Sequence, residues 1–151
     1  PHARCILHVH SEYATALSAL DDPTLPPIDQ NSMRFFNRGG VYRDFGGMGF
    51  EEESEKMATK IGNKKVLLMS NHGVLTAGQT VAEGLDELYY FERACETYLT
   101  ALSTNKKLKI VSDEVAEKTA QECEDYSTDS KDLHLKAIRS ILDQEDPSYK
   151  N

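Results

Sequence analysis

Two short apolar runs constrain the fold of this chain more than any other feature of its sequence. Residues 5–10 (CILHVH) and 65–70 (KVLLMS) carry apolar side chains on both faces of an extended backbone, which is typical of strands buried inside a sheet. Residues 74–78 predict a further short strand. Because helix signals follow in the first half of the chain, the sequence predicts mixed α/β layers, with the first strand at the centre of the sheet.

Capping residues predict where the helices begin. Ser11 is a candidate N-cap for a helix to about Leu20, and Thr80 with Glu83 forms a capping-box pattern for a long helix that ends near residue 102. Residues 31–50 contain five glycines and predict short strands and turns. Three more helices are predicted over residues 51–62, 113–123 and 131–144.

The charge balance argues against several classes of partner. The 151 residues, enough for one domain, carry 17 Lys and Arg against 25 Asp and Glu. The resulting net charge of −8 argues against a nucleic-acid-binding domain and against an anionic membrane surface as partner. No apolar run approaches the roughly 18 residues of a membrane span. Three widely separated cysteines predict free thiols and a cytoplasmic location.

His8 and His10 are the first candidate functional residues. Residues two apart on a strand project to the same face, about 6.6 Å apart at the backbone, so both imidazoles could converge on one metal ion. The alternative is a pair of core histidines satisfied by hydrogen bonds, although burying two unpaired imidazoles together is costly. Both interpretations stay open at this point.

His72 is the second candidate. It follows a predicted buried strand and precedes Gly73, at a strand end where ligands and catalytic groups concentrate. Alone it would be interpreted as a turn residue. Together with the histidine pair it would give three nitrogen ligands and an open fourth position, which is the arrangement of a catalytic zinc site.

Other reactive side chains are interpreted as structural. Cys5 has the opposite strand parity to His8 and is expected to be a buried thiol on the other face of the sheet. His134 lies on a polar helix near the end of the chain and is expected to be solvated. The glycines of residues 46–49 do not form a phosphate loop, because no Gly-Lys-Ser/Thr follows them.

Two motifs carry a resemblance to a known family. The segments CILHVHSEYATA (residues 5–16) and LLMSNHGVLTAG (residues 67–78), in this order and at this separation, resemble the class II aldolase/adducin family. The resemblance continues through FERACE (residues 91–96) and the tail ILDQEDPSY (residues 141–149), so that it extends over most of the chain.

The resemblance implies a three-layer α/β/α fold around a mixed, largely antiparallel sheet. It implies that His8, His10 and His72 hold zinc or another divalent metal, which polarises a substrate carbonyl and stabilises an enediolate as a carbon–carbon bond breaks. The implied function is a metal-dependent aldolase-like lyase, or a related epimerase or dehydratase, acting on a small sugar or sugar-phosphate-like carbonyl substrate. Homo-oligomers, often tetramers, are also implied.

The family's acid/base glutamate and phosphate-binding loops lie upstream of the histidine pair by more residues than precede His8. We therefore expect residues 1–151 to form a class II aldolase/adducin-like domain that lacks its N-terminal part. We expect this chain to be inactive alone and favour an enzyme as the full-length protein, a choice that stays open at this point. No residue here is assigned the catalytic role, and none is assigned to a cofactor other than the metal. The alternatives are an adducin-like assembly module without turnover, and a structural domain with core histidines.

Overall fold

The computed structural model describes residues 3–44, 46–47, 52–126 and 128–150, and these residues form four strands and six helices. In chain order the elements are β1 (Cys5–Val9), α1 (Glu12–Ser18), α2 (Gln30–Arg34), β2 (Gly39–Tyr42), α3 (Glu52–Ile61), β3 (Val66–Met69), β4 (Gly73–Gly78), α4 (Val81–Ser103), α5 (Asp113–Asp125), α6 (Thr128–Glu145) and a closing 3₁₀ turn (Pro147–Lys150). The ends of the five predicted helices agree with the structure to within one helical turn.

The sheet has the strand order β1-β4-β3-β2. β4 is antiparallel to both β1 and β3, whereas β2 runs parallel to β3, so the sheet is mixed and largely antiparallel, as the resemblance implies. The central position expected for β1 is wrong for the described residues, because β1 lies at the edge of this sheet. Its side chains accordingly alternate between half-buried and exposed, and Ile6 is 61% exposed.

Helices cover both faces of the sheet and complete three layers. Val66 and Leu68 of β3 point into a core shared with α1 and α4. Leu67 and Met69 point to the opposite face, where side chains of α3 cover them. The uninterrupted apolar sequence of β3 is explained by this burial on both faces, and the α/β/α architecture is confirmed.

The segment of residues 31–50 differs from its prediction. Its first part belongs to α2, because Asp29 and Ser32 form a capping box in which the Asp29 carboxylate accepts the amide hydrogen of Ser32 at 2.8 Å. The predicted strand content is limited to β2 among the described residues, and residues 45 and 48–51 lie outside them. None of the helices in the described part of the chain is both long and apolar enough to cross a bilayer.

A buried carboxylate joins α4 to three neighbouring segments. The Glu87 side chain is 1% exposed and lies 3.0 Å from the guanidinium of Arg34 on α2. Its other oxygen lies 3.4 Å from the ammonium groups of Lys65, just before β3, and Lys131 on α6. Buried charges of this kind are tolerated only when paired, so this cluster fixes how the helices pack around α4.

Candidate metal centre

β1 directs His8 and His10 to the face of the sheet that α3 covers. Ile6 has the same strand parity and lines a groove together with Met57 and Ile61 of α3. Cys5 points to the opposite face, where its sulfur lies against Gly84 of α4, so the predicted separation of the thiol from the histidines is confirmed. Cys5 is half-buried rather than buried.

His72 reaches the pair because the turn between β3 and β4 lies beside the end of β1. Asn71 adopts the left-handed conformation with φ 56°, a conformation that asparagine tolerates better than most residues. The amide of His72 then donates to the carbonyl of Met69 at 3.1 Å, which closes the turn. Since Val74 of β4 pairs with Val9 of β1, the imidazole of His72 faces the other two.

The three imidazoles form one tight cluster. Nε2 of His8 lies 3.1 Å from Nε2 of His10 and 3.2 Å from Nε2 of His72. The ring centroids are 4.9, 4.9 and 4.5 Å apart, and a ligand nitrogen from each ring lies within 4.8 Å of the others. His8 and His10 are exposed and His72 is half-buried, so the cluster is open to solvent on one side.

The hydrogen bonding of His8 prepares its Nε2 to bind a cation. Nδ1 of His8 lies 3.0 Å from the carbonyl oxygen of Val74, and since a carbonyl only accepts, Nδ1 carries the proton. In neutral His8 the Nε2 lone pair is then directed toward the other two rings, as in metal sites where a second hydrogen bond fixes the tautomer. Tetrahedral zinc with Zn–N bonds of about 2.0–2.1 Å places its ligand nitrogens roughly 3.3–3.4 Å apart, so the donor set fits such an ion.

The electrostatic environment of His72 favours its neutral imidazole. Burial lowers the pKa of His72, and the positive charges that His8 and His10 can acquire lower it further. Glu53 of α3 acts in the opposite direction and raises this pKa. Neutral imidazole is the form that binds a metal, so the balance of these effects favours ligation.

The comparison with known proteins assigns the family. A family model described as "Class II Aldolase and Adducin N-terminal domain" matches residues 1–99. This chain belongs to the class II aldolase and adducin family. It is 36% identical over 107 residues to the Meiotically up-regulated gene 14 protein of Schizosaccharomyces pombe, covering 70% of this chain and 41% of that protein. It is 33% identical over 107 residues to beta-adducin of Homo sapiens, covering 69% of this chain and 14% of that protein.

A solved structure of the family is similar over almost the whole chain. An aldolase II superfamily protein from Pseudomonas syringae superposes with a TM-score of 0.88 at 28% identity, covering 99% of this chain and 60% of that one. The fold implied by the sequence motifs is therefore that of the class II aldolase and adducin family. The chain spans less than half the length of the two curated relatives above.

The roles of His134 and Glu92 differ from what the sequence of this family member predicts. His134 was expected to be solvated, but its Nδ1 lies 2.8 Å from the carboxylate of Asp86 on α4, away from the histidine cluster. Ser11 occupies the N-cap position of α1 but makes no side-chain cap. The cap is the carboxylate of Glu92, which lies about 80 residues further along the chain, so that no local pattern announces it.

Proposed function

We propose that His8, His10 and His72 bind one divalent cation, zinc in the first instance, and that the protein is a metal-dependent lyase. Its substrate would be a small carbonyl compound such as a sugar or sugar phosphate. The observation that carries the proposal is the orientation of His8, whose Nδ1–H donates to Val74 while its Nε2 lies within 3.2 Å of the other two Nε2 atoms. Membership of a family that includes class II aldolases supports it.

Each part of the proposed centre has a physical task. The carbonyl of Val74 orients the His8 ring and selects the neutral tautomer in which Nδ1 carries the proton. The turn at Asn71 holds His72 against β1. Three protein ligands leave a position for a substrate oxygen on the exposed side of the cluster. A bound divalent cation supplies Lewis acidity toward a carbonyl oxygen. No described residue is assigned the role of acid or base.

The context of this centre is also proposed. We infer that residues 1–151 are part of a longer domain, which is supported by the 60% coverage of the P. syringae structure. The edge position of β1 suits pairing with a further strand, and we propose a homo-oligomeric protein. Light scattering that shows a monomer at micromolar concentration would count against the oligomer. The three free thiols suit a reducing compartment, and we propose a cytoplasmic location.

A second function is an adducin-like assembly module in which the fold persists without turnover. The 33% identity to beta-adducin favours it. In this case the histidine cluster would stabilise the fold or be a remnant, and the protein would have no substrate. Metal binding alone does not separate the two functions, so turnover must be measured directly.

The experiment measures zinc content and aldehyde release for residues 1–151 and for the longer native protein. The substrates are a panel of ketose and aldol phosphates. We expect about one zinc per chain in both proteins and turnover only in the longer one. A positioned acid or base contributes about 10²–10⁴-fold, and substrate positioning contributes further, so the short chain should be inactive without them.

Matched variants interpret the result. His10→Ala in the longer protein should bind zinc much more weakly and lose turnover, whereas His134→Ala should keep both because His134 contacts Asp86 instead of the cluster. Robust aldehyde release by residues 1–151 would mean that the acid/base group lies within this chain. A longer protein that binds zinc and releases no aldehyde from any substrate would favour the assembly module.

A further inference from the structure

The carboxylate of Glu92 accepts three hydrogen bonds from the segment that follows His10. Its Oε2 lies 2.6 Å from the hydroxyl oxygen of Ser11 and 2.9 Å from the amide nitrogen of Ala14. Its Oε1 lies 2.7 Å from the amide nitrogen of Tyr13. All three contacts are partly buried, so they are less screened than surface contacts, and hydrogen bonds to a charged acceptor are about twice as strong as neutral ones.

These contacts fix the junction between β1 and α1. The ladder between β1 and β4 ends at the pair Val9 and Val74, so His10 lies one residue beyond the last backbone pairing. The next residue, Ser11, is hydrogen-bonded to Glu92 of α4. His10 is therefore held on one side by the strand and on the other by a bond to the carboxylate.

α4 is a suitable anchor for this purpose. It packs on β4 and β1, and its middle residues Ala94 and Cys95 are fully buried. The α1 helix has only seven residues and does not cap itself, so its position depends on partners outside the helix. The carboxylate of Glu92 on α4 consequently fixes the start of α1, which directly follows His10 and Ser11.

We propose that Glu92 is a positioning residue for the histidine cluster: it ties the β1–α1 junction to α4 and so holds His10 at the distance from His8 and His72 that one metal ion requires. This inference rests on the metal centre proposed above. Glu92 acts through its hydrogen bonds to Ser11 and to the first turn of α1. Loss of comparable outer contacts in metal sites typically weakens metal affinity about 10–100-fold.

The test replaces Glu92 by methionine, which has similar volume and no charge, in the 151-residue chain. The readouts are thermal stability, Co²⁺ affinity and the intensity of the visible Co²⁺ bands, which is high in tetrahedral sites. We expect Glu92→Met to weaken Co²⁺ affinity about 10–100-fold with loss of band intensity. Glu96→Met is the matched control, because Glu96 lies one turn further along α4 and pairs with Arg93.

A second variant separates positioning from simple helix capping. In Ser11→Asp/Glu92→Met, the new N-cap carboxylate can accept the amides of Tyr13 and Ala14 without any link to α4. The proposal expects this variant to regain thermal stability but not Co²⁺ affinity. Recovery of both, or wild-type affinity in Glu92→Met, would overturn it. If Glu92→Met does not fold, Ser11→Ala takes its place, because it removes only the hydroxyl contact with Glu92. Ser11→Ala should weaken Co²⁺ affinity by less than Glu92→Met but measurably. A wild-type Co²⁺ affinity in Ser11→Ala would then overturn the proposal.

A metal-free readout distinguishes failure of this inference from failure of the metal centre. Gly73 packs against the His10 ring, so an NMR cross-relaxation peak between their protons reports the position of His10 without metal. If the wild-type chain binds no Co²⁺, the metal centre is refuted. The cross-relaxation peak still tests the positioning role of Glu92. Loss of this peak in Glu92→Met supports that role, and persistence of the peak overturns it.

Discussion

Gly73 and His10 approach each other so closely that no side chain fits between them. A Cβ atom at position 73 would lie 2.9 Å from Cδ2 of the His10 ring and 2.5 Å from the carbonyl oxygen of Val9. Both distances are shorter than the van der Waals contact distance of a carbon atom. The second involves a backbone oxygen, which a change of side-chain rotamer cannot move. The close contact of β4 with the end of β1 therefore requires glycine at this position.

Gly73→Ala should displace His10 and separate the three imidazoles. We expect a loss of about 1–3 kcal/mol in the free energy of unfolding, as for other overpacked sites, together with weaker zinc binding. Chemical denaturation and a competitive zinc titration measure the two effects. Gly47→Ala is the control, because a Cβ at position 47 has no neighbour within 4 Å. Equal free energies of unfolding and equal zinc affinities in the two variants would show that the contact between Gly73 and His10 does not hold the cluster together.

Acidification should destabilise the metal-free chain through His72. Burial, followed by the charges of His8 and His10, holds the pKa of His72 below its ordinary value of 6.5. Between that lowered value and pH 6.5, the unfolded chain binds a proton at His72 and the folded chain does not. The contribution of neutral His72 to the free energy of unfolding is therefore fully present above pH 6.5, and it is lost as the pH falls through the folded pKa. Zinc affinity should fall in the same range, since protons compete for the imidazoles.

Urea titrations between pH 8 and 5 in the presence of a chelator measure this dependence. The variant His72→Gln should lose the part of the pH dependence of stability that His72 contributes. His134→Gln is unsuitable as a control because it breaks the contact with Asp86. A metal-free chain that becomes more stable on acidification across this range would contradict the assignment.

Glu87→Gln should be among the most destabilising single changes outside the cluster. It removes a fully buried charge from Arg34, Lys65 and Lys131, and breaking a buried ion pair typically costs about 3–5 kcal/mol. Glu122→Gln is the matched control, since its pair with Lys118 is exposed and worth about 0–1 kcal/mol. Urea denaturation compares the two variants, and equal midpoints would refute the structural role of Glu87.

The sequence predicts the histidine cluster well because the relevant rules are local. Alternation along a strand places His8 and His10 on one face whatever the surrounding fold. The Asn71–Gly73 turn predicts a strand end for His72, although its contact with the other two depends on the pairing of β4 with β1. The family resemblance, in which the two motifs occur together, implies that the three histidines meet but does not give the strand pairing.

The features that the sequence does not predict all depend on partners far along the chain. The apolar content of β1 shows that it can be buried, but not which strand lies beside it, so its edge position was missed. Asp86 and Glu87 interrupt an otherwise apolar face of α4, and their partners among the described residues lie 22 to 53 residues away. These partners are on α2, just before β3, and on α6. Glu92 similarly caps a helix that begins 80 residues before it.

X-ray absorption at the zinc edge tests the central claim most directly, because it reports the atoms bound to the metal. For the zinc-loaded chain we predict three imidazole nitrogens at about 2.0–2.1 Å, with one of them lost in His10→Ala. The signature of imidazole rings should be present and that of sulfur absent. A shell containing sulfur at about 2.3 Å, or an identical spectrum for the wild type and His10→Ala, would contradict a centre formed by His8, His10 and His72.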